Sequence, residues 1–392
     1  MADKVGVAIV GVGGAVATTA IAGIAMIRAG SNSRDGLPLA DRSVDRLVPY
    51  DGLRFGGWDL AEDDLATAAR KHGVLDEREL ANGAASLKSM TPWPAVGSRS
   101  FCANIDGANK IAGTGHRAAI DQIKRDLAAF KSREGLDRMV VVNLASTERA
   151  PDKNAPAMAS TEAFERALDA DDAEISPAML YAYAAVASDT PYANFAPSMA
   201  SDAPPIAAMA TARGVPIAGK DGKTGQTLMK TVIAPALRAR ALHVDGWFST
   251  NILGNRDGQA LDDAGSLASK VDTKMSALDQ IMGYPVEDHV IMIHYYRPRG
   301  DDKEAWDNID ISGFLGRKMQ LKLNFLCKDS VLAAPLVVEI ARVLDLAAQR
   351  GEGGVQEQMG LFFKAPQTAD GGEAVHGFNE QREALDRWLD AR

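Results

Sequence analysis

The chain has 392 residues, 46% of them apolar and 24% charged, proportions of an ordinary globular protein long enough for two or three domains. A formal net charge of −9 repels nucleic acid and anionic membranes over long range, so clustered lysines mark local concentrations of positive charge. Two cysteines, Cys102 and Cys327, give neither a disulfide framework nor a metal-ligand spacing. The apolar N-terminus is broken by Gly11, Gly13 and Gly14 and ends in Arg28, unlike a signal peptide, which places the protein in the cytoplasm.

Lys4 to Val10 is a short β-branched run, followed by a glycine turn and an alanine-rich helical stretch that Gly30 closes. Residues 31–50 read as a loop, Leu53 to Leu60 as a second strand, 61–90 as charged helix, and 91–107 as a Pro/Gly-rich connection. An amphipathic helix follows over about 115–133. Arg138 to Ala145 is a continuous apolar run without alternation, the pattern of a buried parallel strand. Helical sequence covers about 158–187, and Val215 to Gly219 is a short strand feeding a turn and the helical run Leu228–Leu242. This alternation predicts an α/β protein with a Rossmann-type doubly wound parallel sheet.

The texture changes after residue 243. Val244–Leu253, Asp288–Arg297, Trp306–Ser312 and Lys318–Phe325 read as longer strands with partial alternation, with one helix at about 264–282. Short connections predict an antiparallel sheet in a second, α+β domain. Helices close the chain at Ser330–Gln349 and Glu380–Arg392. The division is therefore 1–227 plus 336–392 for the nucleotide-binding domain, with 228–335 inserted.

Gly11, Gly13 and Gly14, with Ala15, Val16 and Thr18, follow a strand and open a helix, where close backbone approach and the helix N-terminus suit a pyrophosphate. The third glycine position of the usual dinucleotide fingerprint is Val16, and Asp59 is the candidate for the ribose-binding acid. On the 264–282 helix, Leu267, Val271, Lys274, Leu278 and Ile281 share one face, with Lys270 at the i−4 edge and no acid at i±3 or i±4. Two readings stay open here: a bound phosphate supplies the counter-charge, or the lysines snorkel at a solvated edge. Thr224-Gly225-Gln226-Thr227 precedes a helix and forms a second candidate anion site. Asn255 and Asp257 lie between glycines on a turn, where ordinary turn chemistry accounts for them unless a ligand is near.

Taken in order, several segments resemble the myo-inositol-1-phosphate synthase family over nearly the whole chain. They are Gly56-Gly57-Trp58-Asp59, Ala145-Ser146-Thr147-Glu148-Arg149, Glu174-Ile175-Ser176-Pro177, Gly225-Gln226-Thr227, Leu253-Gly254-Asn255, Gly300-Asp301 and Asp329 through Pro335. The resemblance implies conversion of glucose 6-phosphate to inositol phosphate with NAD used and regenerated in one turnover. The steps would be oxidation at C5, enolisation at C6, closure of C6 onto C1, and return of the hydride. It implies catalytic roles for Lys270, Lys274, Lys303, Lys364, Asp221 and Asn255, and phosphate binding by Thr224 to Thr227 with Lys274. It also implies cofactor contacts from Ser146, Asp221, Asp257 and Asp329, and a homotetramer built through the inserted sheet.

The chain departs from the family pattern at Lys220, Arg256 and Lys328, three changes that add positive charge near the site. They keep open a related NAD-dependent cyclase or oxidoreductase acting on another sugar phosphate. A catalytically silent NAD-binding protein is the other alternative. Asp257, Asp301 and Asp329 are candidates to help hold a cation, though their order in sequence establishes no metal site.

Overall fold

In the computed structural model, which describes residues 3–113, 115–255, 258 and 277–391, two sheets carry the fold. The first part of the chain gives β1 (Val5–Val10), α1 (Ala15–Arg28) and β2 (Leu53–Asp59). The charged stretch at 61–90 is two helices, α2 (Leu65–His72) and α3 (Glu77–Lys88). Gly73, at φ 65°, ends α2, and Asp76 with Glu79 forms a capping box that starts α3. A two-residue strand β3 (Trp93–Pro94) precedes α4 (His116–Glu134) and β4 (Arg138–Asn143).

The helical sequence at 158–187 is likewise two helices, α5 (Thr161–Asp169) and α6 (Pro177–Ala187), each capped by a serine hydroxyl, Ser160 and Ser176. Two elements without a clear sequence signal follow, β5 (Tyr192–Asn194) and α7 (Pro204–Arg213). Then come β6 (Pro216–Gly219), α8 (Gly225–Ala239), β7 (His243–Leu253), β8 (Asp288–Tyr295), β9 (Asp302–Ser312) and β10 (Lys318–Lys328). The chain closes with α9 (Asp329–Gln349), β11 (Gly354–Val355) and α10 (Phe378–Asp390).

Seven parallel strands in the order β11-β6-β5-β4-β1-β2-β3 form the doubly wound sheet. One face packs Val5, Val7 and Ile9 against α1, α3 and α9, and the other packs Ala8 and Val10 against α4 and α6. The strand order reverses direction at β1, between β4 and β2, the place where such sheets open a ligand crevice at their carboxyl ends.

The second sheet has the order β10-β9-β7-β8. It is mixed, which corrects the antiparallel expectation: β9 runs antiparallel to β7 and β10, but β7 and β8 are parallel. The long connection between them explains this, because only a long crossover returns the chain to the same end. In that connection, residues 277–282 are helical. Helix α8 lies across the covered face of the sheet and packs Ala234 and Leu237 on Val244, Trp247 and Ile309.

Candidate active site

The glycine loop leaves β1 at Gly11, whose φ of 84° puts it in the left-handed region. A Cβ there would lie 3.2 Å from the backbone of Leu144 and Ala145, at the end of β4. The Gly13 peptide is held from both sides: its N–H donates to Asp59 Oδ2 (2.9 Å), and its carbonyl meets His72 Nε2 (2.8 Å). Helix α1 has no side-chain cap and no acid in its first turn, so its N-terminal N–H groups are left for an anion. Gly14, Ala15, Val16, Ser146 and Asp59 line the cleft above this loop. Thr18 is turned away, its hydroxyl donating to Gly14 O (2.9 Å) inside its own helix. These residues fit a dinucleotide: backbone approaches the phosphates, and an acid stands at the end of β2. His72 carried no sequence signal, since nothing local ties the end of α2 to the glycine loop.

The same cleft is lined by Asp221, Thr224, Asn255, Asp329 and Lys364. Backbone pairing brings the last of these to the first. Lys223 N–H donates to Phe362 O, Lys364 N–H to Asp221 O, and Ala365 N–H to Lys220 O, so residues 362–365 zip onto 220–223. Gly222 must be glycine there, because a Cβ would fall 2.0 Å from the Phe195 ring. The result is a buried ion pair, Lys364 Nζ to Asp221 Oδ1 at 2.8 Å.

A second pair forms where β10 runs directly into α9. Lys303 Nζ lies 3.2 Å from Asp329 Oδ1, which also accepts from the Thr224 hydroxyl at 3.1 Å. Asp301 accepts from the Ser330 N–H (3.0 Å), the Ser330 hydroxyl (2.7 Å) and Asn255 Nδ2 (3.2 Å). Burial pushes the Asp301 carboxyl above its ordinary range against the pull of those donors. Among the described residues, no group of three His, Cys, Asp or Glu side chains is arranged to hold a metal ion. Lys270, Lys274 and Asp257, and the departure at Arg256, lie outside the described residues.

The 224–227 turn is a helix start without a side-chain cap, with Gly225 at φ 51° and Lys303 Nζ 4.0 Å from where its Cβ would stand. Thr224 faces the cleft. Gln226 does not: its side chain bonds Asp307 and Asn251 under the helix. Thr227 is buried. Two of the added charges have carboxylates of their own. Lys220 pairs with Asp202 at 2.6 Å, and Lys328 pairs with Asp302 at 3.0 Å on the surface.

Three buried ionisable groups near the site have no role assigned from the sequence. Burial pushes the Lys223 ammonium down to about 7; its Nζ donates to Gln381 Oε1. Burial likewise lowers Lys230 to about 8, against the opposing field of Asp307. It raises the Glu148 carboxyl to about 7. For Lys230 the signal was available, since Gln226, Lys230, Ala234 and Leu237 share one helical face.

Comparison with known proteins bears on the same features. The profile of the myo-inositol-1-phosphate synthase family matches residues 37–390. An inositol-3-phosphate synthase of Bacteroides thetaiotaomicron is 39% identical, over 97% of this chain and 91% of that protein. One from Spirodela polyrhiza is 31% identical, over 93% of this chain and 76% of that protein. Among solved structures, the inositol-3-phosphate synthase of Caenorhabditis elegans superposes with a TM-score of 0.92 at 24% identity, covering 99% of this chain and 86% of that one. A myo-inositol-1-phosphate synthase-related protein of Thermotoga maritima gives 0.84 at 25% identity, with 99% of each chain covered. With the nucleotide loop and the Asp221–Lys364 pair on one cleft and the family profile matched over residues 37–390, the chain belongs to the myo-inositol-1-phosphate synthase family.

Proposed function

We propose that the protein is an NAD-dependent inositol-3-phosphate synthase, which closes D-glucose 6-phosphate into 1D-myo-inositol 3-phosphate with no net oxidation. The observation that carries this reading is the shared cleft: glycine loop, Asp221–Lys364 pair and Thr224–Asp329 contact all line it. The glycine loop and Asp59 would hold NAD, which would supply reversible hydride transfer to and from the sugar.

The chain's own residues divide the remaining work. The uncapped start of α8 and the Thr224 hydroxyl hold the substrate phosphate, with Lys303 beside them. Lys364 gives or takes a proton at Nζ, and Asp221 keeps that ammonium oriented. Lys303 and Asn255 donate to oxygens that gain charge during enolisation and closure. Lys270 and Lys274 are assigned to the phosphate and the enolate on the strength of the family resemblance.

A homotetramer fits the second sheet, whose side away from α8 exposes Val290, Met292 and Trp306. Among the described residues no helix is long and apolar enough to cross a membrane, and a cytoplasmic enzyme suits this phosphorylated substrate. The ion pairs at Lys220 and Lys328 favour glucose 6-phosphate over a more anionic sugar, since neither added charge is left over for the ligand.

The test is incubation with glucose 6-phosphate and NAD, read by phosphorus NMR and absorbance. Inositol phosphate should accumulate without a matching rise in NADH. Sustained NADH formation equal to product would identify an ordinary dehydrogenase instead.

A further inference from the structure

Beneath the first turn of α8, the helix–sheet interface changes character. Towards the far end of the helix it is apolar, with Ala234 and Leu237 on Trp247 and Ile309. Under the first turn it carries Asp307, Ser249, Asn251 and Gln226, all nine-tenths or more buried. Ser249 and Asp307 stand directly opposite each other on β7 and β9, and Trp247 and Asn251 flank Ser249 on the same face.

Both ends of the Gln226 amide are used. Nε2 donates to Asp307 Oδ1 at 3.0 Å, and Oε1 accepts from Asn251 Nδ2 at 2.6 Å. The same Asp307 oxygen accepts from Trp247 Nε1 (2.8 Å) and the Ser249 hydroxyl (2.6 Å). Three donors from a strand and a helix thus fix one acceptor, and one amide is tied to two adjacent strands. One turn further along, Lys230 lies 5.5 Å over the Trp247 ring, with Nζ 2.7 Å from His289 Nε2.

Packing alone does not call for a carboxylate here. Apolar side chains of similar volume stabilise such an interface as well or better, so a buried charge of this kind is best explained by what it fixes in place. What it fixes is the residue after Gly225, a glycine in left-handed backbone that leaves the turn free to reorient.

We propose that Gln226, Asp307 and Asn251 form a strut that sets the first turn of α8 and so act as positioning residues for the substrate phosphate. The proposal rests on the reading that the 224–227 turn receives that phosphate. The strut touches the turn from below, while the cofactor loop lies across the cleft, so the two ligands separate its effect from general damage.

The experiment uses the full chain and follows inositol phosphate formation against glucose 6-phosphate at saturating NAD, with NAD affinity read by calorimetry. Gln226→Met keeps the length and loses both hydrogen bonds. The KM for glucose 6-phosphate should rise at least about tenfold, with kcat within about threefold and NAD affinity within about twofold, the scale of a small misplacement of a bound group. Asn251→Ala removes one tie and should shift KM in the same direction by less, which keeps the test open if the first variant folds poorly. Thr224→Ala examines the turn itself: an unchanged KM there would remove the phosphate reading and the strut with it. A raised KM in Thr224→Ala with a wild-type KM in Gln226→Met would overturn the strut alone. Parallel losses of KM, kcat, NAD affinity and melting temperature would show a merely structural network and overturn it too.

Discussion

The two sheets meet the cleft in different ways. The parallel sheet is filled with buried aliphatics such as Val5, Val7, Ile9 and Val140, and it offers the cleft mainly backbone, from Gly11 to Gly14. The second sheet buries Asp307, Ser249 and Asn251 beneath α8, and it offers side chains, Lys303 and Asn255, at its edge. A backbone site tolerates little added bulk, and its amides keep their geometry whatever the side chains carry. A side-chain site is the reverse: it depends on each ion pair keeping both members. The difference predicts which kind of substitution each half resists.

The largest effect is expected at Lys364. Lys364→Met should lower turnover by at least about 10²-fold, the scale of losing an acid–base or oxyanion contact. It also removes the ammonium from the Asp221 carboxylate, buried to the same degree as its partner, and should lower stability in urea denaturation, by up to about 3–5 kcal/mol. Unchanged turnover in a folded variant would remove Lys364 from the chemistry.

On the backbone side, Gly13→Val should abolish NAD binding in calorimetry while melting stays close to wild type. The first added carbon would stand 3.0 Å from Asp59 Oδ2 and close off the approach to the loop. Wild-type NAD affinity would show that the nucleotide lies elsewhere.

The pH dependence sharpens the comparison at Lys223. Burial holds it down to about 7 in the fold, whereas the unfolded side chain titrates near about 10.4. Between those values the unfolded state binds more protons, so stability should rise with pH across that window. Lys230 contributes in the same direction. Lys223→Met should therefore flatten the rise in urea midpoint from about pH 7 to 10 without erasing it. A slope equal to wild type would show that Lys223 keeps its charge in the fold across that window.

The smallest effect belongs to Lys328. It sits half-exposed against Asp302, and Lys328→Ala should change stability by less than about 1 kcal/mol. The KM for glucose 6-phosphate should stay within about twofold, since this charge is spent on its own neighbour. A large rise in KM would return that lysine to the substrate site.

Much of the parallel sheet was legible because β-branched runs such as Val5 to Val10 and Met139 to Val142 admit few other readings. Tyr192–Asn194 was not: three residues carry no period, and the strand exists only because β4 and β6 flank it. The parallel pairing of β7 with β8 was invisible for another reason, since alternation fixes which face a residue takes but not which way the strand runs. In the site, the loop and the 224–227 turn announced themselves through glycine. The partnership of Lys364 with Asp221 did not, because it depends on a backbone ladder joining segments 143 residues apart. The acceptor role of Asp307 was equally hidden, being one aspartate among several on an alternating strand.

That ladder has a consequence for the order in which the protein becomes functional. Synthesis delivers the glycine loop, Asp221 and the 224–227 turn long before residues 362–365, which bring both the zipper and Lys364. Until those residues emerge, segment 220–223 lacks its backbone partner, and the Asp221 carboxylate lacks the Lys364 ammonium. A nascent chain stalled before that point has Asp221 and the 224–227 turn without Lys364. Residues 362–365 therefore complete the proposed site in a chain that already carries the glycine loop.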